Sequence, residues 1–318
     1  MKTIEVHLVN AFTAFDEGGN PAGVVLNADS LSAEEKLKVA QAVGYSETAF
    51  VSKDEYADVA LSFFTVTGEV DFCGHATLAA FSLMFQQGIL QAGDYTQRTK
   101  AGMLGVSITG DGNVVMEQKS PEFTQRLPYE DVSELIGIAP DVLASTQLPI
   151  EVVSTGLPDI IMAVPTGYLS KIDLNADKTT EFCRQHNAVG IHAFEICEYS
   201  SNLTASCRNF APLLGIAEES ATGSASGALA CYLAKHSIEE IDSKGSSSEN
   251  CSKHQRALTK VNPTFNFVFE QGRAMGCVSR ILATVAIKDS ENTQWEVSVV
   301  GLASLIGKKA IELRSPSI

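Results

Sequence analysis

The chain has 318 residues, 45% of them hydrophobic, with 23 basic against 38 acidic side chains and a formal net charge of −15. This composition excludes a disordered chain, and the length suggests about two domains. The acidic balance opposes long-range attraction to phosphate backbones and anionic lipid, so neither nucleic acid nor a membrane surface is an expected partner.

Residues 1–10 alternate in polarity with no basic region ahead of an apolar core, so no leader is expected. No uncharged apolar run reaches the roughly 18 to 20 residues of a spanning helix, and a cytoplasmic protein is the expectation. Cys73, Cys183, Cys197, Cys207, Cys231, Cys251 and Cys277 are an odd number with no Cys-x-x-Cys pair. The histidines, His7, His75, His186, His192, His236 and His254, have no ligand spacing either. These spacings argue against a disulfide scaffold and a metal site.

In chain order, alternating segments at 3–11, 58–65, 103–108, 152–164, 264–269, 281–287 and 295–300 read as strands. Gly18-Gly-Asn-Pro-Ala22 reads as a turn shaped by Asn20. A surface helix starts at Ser32, where Glu35 completes a capping box; Leu37, Ala40 and Val43 share one side and Gly44 ends it. Glu47 follows in Tyr45-Ser-Glu-Thr-Ala-Phe50. Between that helix and an apolar strand, its carboxylate is either partly desolvated and raised toward working pH, or an ordinary surface group. The polar stretch 242–250 reads as an exposed loop.

Two further helices, at 75–87 and 220–234, carry no Asp, Glu, Lys or Arg, and helices apolar all round belong inside a protein. They open as Cys73-Gly-His-Ala-Thr77 and Ala221-Thr-Gly-Ser-Ala-Ser-Gly227. Free backbone N–H groups and the positive dipole end then stand where an anion can be bound, with Gly74, His75, Gly223 and Ser224 as candidates. His75 titrates near neutrality when unperturbed and suits proton transfer, or it caps the helix. Cys73 is either a reactive thiol at a helix start or a buried structural one. Glu219 either assists the chemistry or is a favourable acid ahead of a helix. The segments ahead of the two helices also share an order of strand, Phe-containing strand end and glycine turn. This suggests a duplication, two halves each with a central helix wrapped by strands and the two helix starts facing one cleft.

Gly19-Asn-Pro-Ala22, Ser46-Glu-Thr-Ala-Phe-Val51, Cys73-Gly-His-Ala-Thr77, Ser154-Thr-Gly-Leu-Pro158, Glu219-Ser-Ala-Thr-Gly-Ser224 and Gln271-Gly272 together resemble the phenazine-biosynthesis PhzF-like family, over about residues 10–301. The resemblance implies the α+β, diaminopimelate-epimerase-like fold: two pseudo-symmetric domains, each a curved sheet or barrel around a central buried helix. The expected halves are 1–121, joined by a returning strand within 301–318, and 122–300. It also implies a cofactor-independent isomerase that moves a proton on a small anionic metabolite, and a homodimer. Glu47 falls on the acid/base position, with His75 and Glu219 beside it and Asn20, Cys73, Gly74, Gly223 and Ser224 toward the substrate.

The chain departs from the family pattern in three places. Glu219 stands for a more usual Asp, Ser220 for Pro, and Gly276-Cys-Val-Ser279 for a segment with an Arg. The related racemases use two cysteines, but the position matching the second one here is Ser224, too weak an acid to replace a thiol. Proton transfer by Cys73 on one face, and a small-molecule binder without turnover, are the alternatives. Nucleotide, dinucleotide and zinc-hydrolase signatures are absent from the sequence.

Overall fold

The structure, a computed structural model, describes residues 2–198, 200–244, 263–288 and 294–313. The chain forms two compact units: Met1–Met116 with Cys277–Ser279 and Val300–Ile318, and Glu117–Gly276 with Arg280–Val299. Both are mixed α/β, strand-rich with few helices.

The first unit runs β1 (Lys2–Ala11), β2 (Asn20–Val25), α1 (Ala33–Val43), β3 (Glu47–Ser52), β4 (Val59–Phe64), β5 (Glu69–Val70), α2 (Gly74–Gln86), β6 (Gly93–Thr99), β7 (Gly102–Ile108) and β8 (Val114–Gln118). β1 and β2 are antiparallel; β2 and β3, joined through α1, are parallel; β3 and β4 are antiparallel; and β4 and β6, joined through α2, are parallel. The capping box forms at Ser32 and Glu35, and Gly44 closes α1 in the left-handed conformation with its N–H on the Ala40 carbonyl. Val39 and Ala40 then bury against Val6, Val25, Phe50 and Phe64. Each such apolar side chain contributes roughly 1.5–3 kcal/mol. Helix α2 is buried continuously from His75 to Met84 and packs against β1, β2, β3 and β7, as its uncharged sequence requires.

The second unit contains β9 (Glu122–Leu127), α3 (Tyr129–Ile136), α4 (Pro140–Ala144), β10 (Ile150–Ser154), β11 (Pro158–Ala163), α5 (Ala176–Gln185), β12 (Gly190–Ile196), β13 (Ala205–Ala211), β14 (Ile216–Glu219), α6 (Gly223–Lys244), β15 (Thr264–Gln271), β16 (Ser279–Ile287) and β17 (Trp295–Gly301). β10 and β11 are antiparallel, β11 and β12 parallel, β12 and β13 antiparallel, and β13 and β15 parallel. Its core gathers Val132, Ile136, Ile160, Met162, Ile191 and Phe210. The last strand, β18 (Ala303–Leu313), belongs to the first unit and pairs antiparallel with β1 from Lys2↔Leu313 to Ala11↔Ala303. No helix among the described residues is long and apolar enough to cross a membrane.

Several local expectations need correction. The apolar run 152–164 is two strands, because Gly156, at φ 150°, turns the chain so that Ser154 pairs with Pro158. The helix expected at 220–234 begins at Gly223 and extends to Lys244, taking in the first residues of the expected loop, while 245–250 lie outside the described residues. Helices α3 and α5 are additional to the expected elements, and each buries one side, Val132, Leu135 and Ile136 in α3 and Thr179 and Cys183 in α5.

Candidate active site

In the first unit, Glu47 is the opening residue of β3, set beside Ala22 of β2 in the parallel register. Cys73 is the residue before α2, with extended backbone, and its carbonyl accepts from the backbone N–H (3.0 Å) and the hydroxyl (2.8 Å) of Thr77. His75, two residues on, is 6% exposed. Strand end and helix start together bring three side chains to one point. Glu47 Oε2 lies 3.3 Å from His75 Nε2, and Cys73 Sγ lies 3.4 Å from His75 Nδ1 and 3.9 Å from Nε2. The Glu47 side chain is 15% exposed, and its Oε2 is buried without a hydrogen bond of good geometry among the described residues. The 3.3 Å approach to the imidazole is thus a close contact of a carboxylate with a ring nitrogen, not an aligned hydrogen bond.

Glu47, Cys73 and His75 thus offer three donor atoms within 4.8 Å of one another. Histidine and cysteine spacings reveal only local ligand pairs, and the third donor, Glu47, arrives from a different element.

Asn20 is buried at the start of β2, two residues before Ala22, so it occupies the same face of that strand. The turn ahead of it needs glycine: Gly18 has φ 66°, and a Cβ there would lie 2.0 Å from the Val278 carbonyl oxygen. That carbonyl also accepts from the Gly19 N–H at 3.3 Å, so the unusual Gly276-Cys-Val-Ser279 segment braces this turn through its backbone.

In the second unit, Thr222 precedes α6 and its carbonyl accepts from the Ser226 N–H at 3.0 Å. Its hydroxyl donates to Glu219 Oε2 at 2.6 Å. Gly223 and Ser224 form the first turn, and the Ser224 carbonyl accepts from the Thr155 hydroxyl at 3.1 Å. Glu219 is half-buried and ends β14 opposite Asn209 of β13.

Sequence reasoning gave no role to Gln271, which holds this second loop, nor to Asp159, Asn209 and His192 of the same unit. Gln271, 1% exposed, accepts from the Thr222 N–H at 3.1 Å, and its amide donates to the Glu219 carbonyl at 2.6 Å and to the Thr222 hydroxyl at 3.1 Å. Asp159, 2% exposed, is pushed up to about 7 by burial and by the charge of Glu219, against a lowering hydrogen bond from Asn209. Asn209 Nδ2 meets His192 Nδ1 at 3.2 Å, and burial lowers His192 to about 3, so the ring is neutral and accepts. The available signal was Asp159 itself, an acid at the head of the apolar Ile160-Ile-Met162 run, where a charge is seldom placed without a partner.

The family model described as "Phenazine biosynthesis-like protein" matches residues 9–308. The chain belongs to that family. An uncharacterized isomerase of Clostridium acetobutylicum is 30% identical over 98% of this chain and 99% of its own length. The crystal structure of a Bacillus anthracis phenazine biosynthesis protein of the PhzF family is 28% identical, with a TM-score of 0.82 over 98% of this chain and all of that one. A hydroxyproline epimerase from Agrobacterium vitis, 9% identical, shares the fold alone, with a TM-score of 0.56 over 99% of this chain and 94% of that one. Relatives of the chain thus include proteins named as uncharacterized isomerases, and its fold is shared with an epimerase.

Proposed function

We propose that the protein is a cofactor-independent isomerase that moves a proton along the π-system of a small carboxylate-bearing metabolite, with Glu47 as the acid/base group. The observation that supports this is the buried Glu47 Oε2, 3.3 Å from His75 Nε2 at the start of a helix. The ionised Glu47 takes a proton from a substrate carbon. The C–H electron pair enters the adjacent π-system, a double bond shifts, and the protonated Glu47 returns the proton to a different carbon, so product and substrate are isomers. His75 holds the carboxylate in place. The backbone N–H groups at Gly74 and His75 meet the substrate's negative charge, favoured by the dipole of α2. In the second unit, Glu219, Gly223 and Ser224 are the corresponding candidates for binding a polar group, held by Gln271 and Thr155. Each unit has a central buried helix in this reading, and the two units are related by duplication.

A second reading is favoured by the 3.4 Å approach of Cys73 Sγ to His75 Nδ1: a thiolate formed beside the imidazole removes the proton on one face, as in a racemase. Incubation with small unsaturated carboxylates in deuterated water, with measurement of carbon-bound deuterium, tests both. Glu47 as the base predicts incorporation by wild type and Cys73→Ser but not by Glu47→Gln. Incorporation by Glu47→Gln and none by Cys73→Ser supports the thiol reading. Substrate binding by wild type with no deuterium in the substrate points to a binder without turnover.

A further inference from the structure

We propose that Glu47, Cys73 and His75 form a binding site for a thiophilic divalent cation, with Zn²⁺ as the type case, and that the ion blocks the group assigned to proton transfer. A tetrahedral zinc ion, with bonds of about 2.0–2.2 Å to nitrogen and oxygen and about 2.3 Å to sulfur, has N···O edges of about 3.4 Å and N···S edges of about 3.6 Å. The observed separations at His75 Nε2 are 3.3 Å to Glu47 Oε2 and 3.9 Å to Cys73 Sγ, and all three donors lie within 4.8 Å of one another. Shifts of a few tenths of an ångström in side chains alone close such a cage. Imidazole, thiolate and carboxylate are the donors zinc prefers, and a sulfur ligand selects against magnesium and calcium.

Two further observations point to a cation. Glu47 Oε2 is buried without a hydrogen bond among the described residues, and a metal ion supplies its missing partner. The ligand charges also balance, since one thiolate and one carboxylate neutralise a divalent ion where an uncompensated charge is costly. Cys73 stands at the start of α2, where the helix dipole favours the thiolate that a metal ion takes as ligand. Its thiol proton leaves to solvent as the S–metal bond forms, with no change of oxidation state. Strand β3 and helix α2 fix the donors on rigid elements of one unit, so the site is complete without any group from the other. Metal binding stands on these three groups alone; only the loss of turnover that follows it rests on the reading of Glu47 as acid/base.

The full-length protein, stripped with a chelator, is titrated with Co²⁺ as the spectroscopic probe and with Zn²⁺ alone. One ion bound per chain, one proton released and a thiolate-to-Co(II) charge-transfer band are expected. Cys73→Ser removes the band, and Glu47→Gln keeps it while weakening Zn²⁺ roughly tenfold or more. Cys197→Ser, at a half-exposed thiol of the other unit, changes neither. In the wild type, Zn²⁺ protects Cys73 from alkylation, read from the labelled peptide, so the test stands even where a variant fails to fold. A band that persists in Cys73→Ser, unchanged Zn²⁺ affinity in Glu47→Gln, undiminished alkylation of Cys73, or no bound ion at about 10 µM free Zn²⁺ overturns the site. Stoichiometric binding with undiminished deuterium exchange leaves the metal site standing and overturns Glu47 as the base.

Discussion

Glu47 opens β3 beside Ala22, and Gly190 opens β12 beside Asp159. These are corresponding places in the two units. Each unit runs two antiparallel strands, a helix, a parallel strand, an antiparallel strand, a short strand, a buried-start helix and a further parallel strand: β1–β2–α1–β3–β4–β5–α2–β6 in one, β10–β11–α5–β12–β13–β14–α6–β15 in the other. Cys73 and His75 at the start of α2 then correspond to Thr222 and Ser224 at the start of α6, so the position matching the thiol is Thr222, not Ser224 as the sequence reading had it. One backbone plan thus carries a carboxylate, a thiol and an imidazole in the first unit, but a glycine and two hydroxyls in the second. Gly190 cannot be another Glu47, because a Cβ there would stand 2.0 Å from the Phe210 carbonyl oxygen. The second unit takes its carboxyl groups from elsewhere on the sheet, Asp159 and Glu219, and burial drives one of them toward neutrality. Backbone plan and the groups it presents are therefore separable, because the side chains at the strand and helix starts differ between the units.

The largest expected effect tests where the chemistry lies. Glu47→Gln keeps size and binding while losing the proton acceptor, and turnover falls by about 10³ to 10⁴-fold, near the top of the range for a general acid–base group. Ser224→Ala at the corresponding helix start costs only about tenfold, as one lost neutral hydrogen bond does. Steady-state kinetics on the two variants compares them directly, and equal losses would erase the distinction between the units.

Gly190→Ala comes next. With backbone atoms at the collision point, the strand has to move, costing about 3 kcal/mol or more. Chemical denaturation measures this, and a neutral result would mean that Gly190 does not keep the acid/base group out of the second unit.

Asp159→Asn sharpens the contrast through pH. The folded value of Asp159, about 7, lies above its ordinary 3.8, so the native state holds the proton more tightly than the unfolded chain. Its contribution is fully present below about pH 4 and is lost as pH rises toward 7, by at most roughly 1.4 kcal/mol per pH unit. The stability of wild type relative to Asp159→Asn should fall across that window and level off above it. Denaturation midpoints of both proteins from pH 4 to pH 8 check this, and a parallel pair of profiles would show that Asp159 ionises normally.

The smallest effect compares the two connecting helices. α1 has a full capping box at Ser32, whereas the α5 cap, Asn175, accepts only from the Lys178 N–H. Ser32→Ala and Asn175→Ala should each cost about 1 kcal/mol, the first more because Glu35 also loses its geometry. Thermal unfolding of the two variants orders them.

The sequence determined what local chemistry can encode. Ser32, Glu35 and Gly44 specified α1 because a cap is satisfied within one turn of chain. The uncharged helix after Cys73 had to be buried because an apolar surface has no other place, and the order of motifs from Gly19 to Gln271 identified the family. Tertiary structure decided what depends on distance through space. The Glu47 carboxylate and the His75 imidazole are 28 positions apart in sequence and 3.3 Å apart in space, a closeness that only the parallel placement of β3 and the burial of α2 create. Gln271 likewise reaches the Glu219–Thr222 loop only because β15 returns beside β13. Asp159 is pushed toward neutrality for the same reason. Desolvation and the field of a neighbouring carboxylate belong to a folded environment, and no single residue's identity carries them.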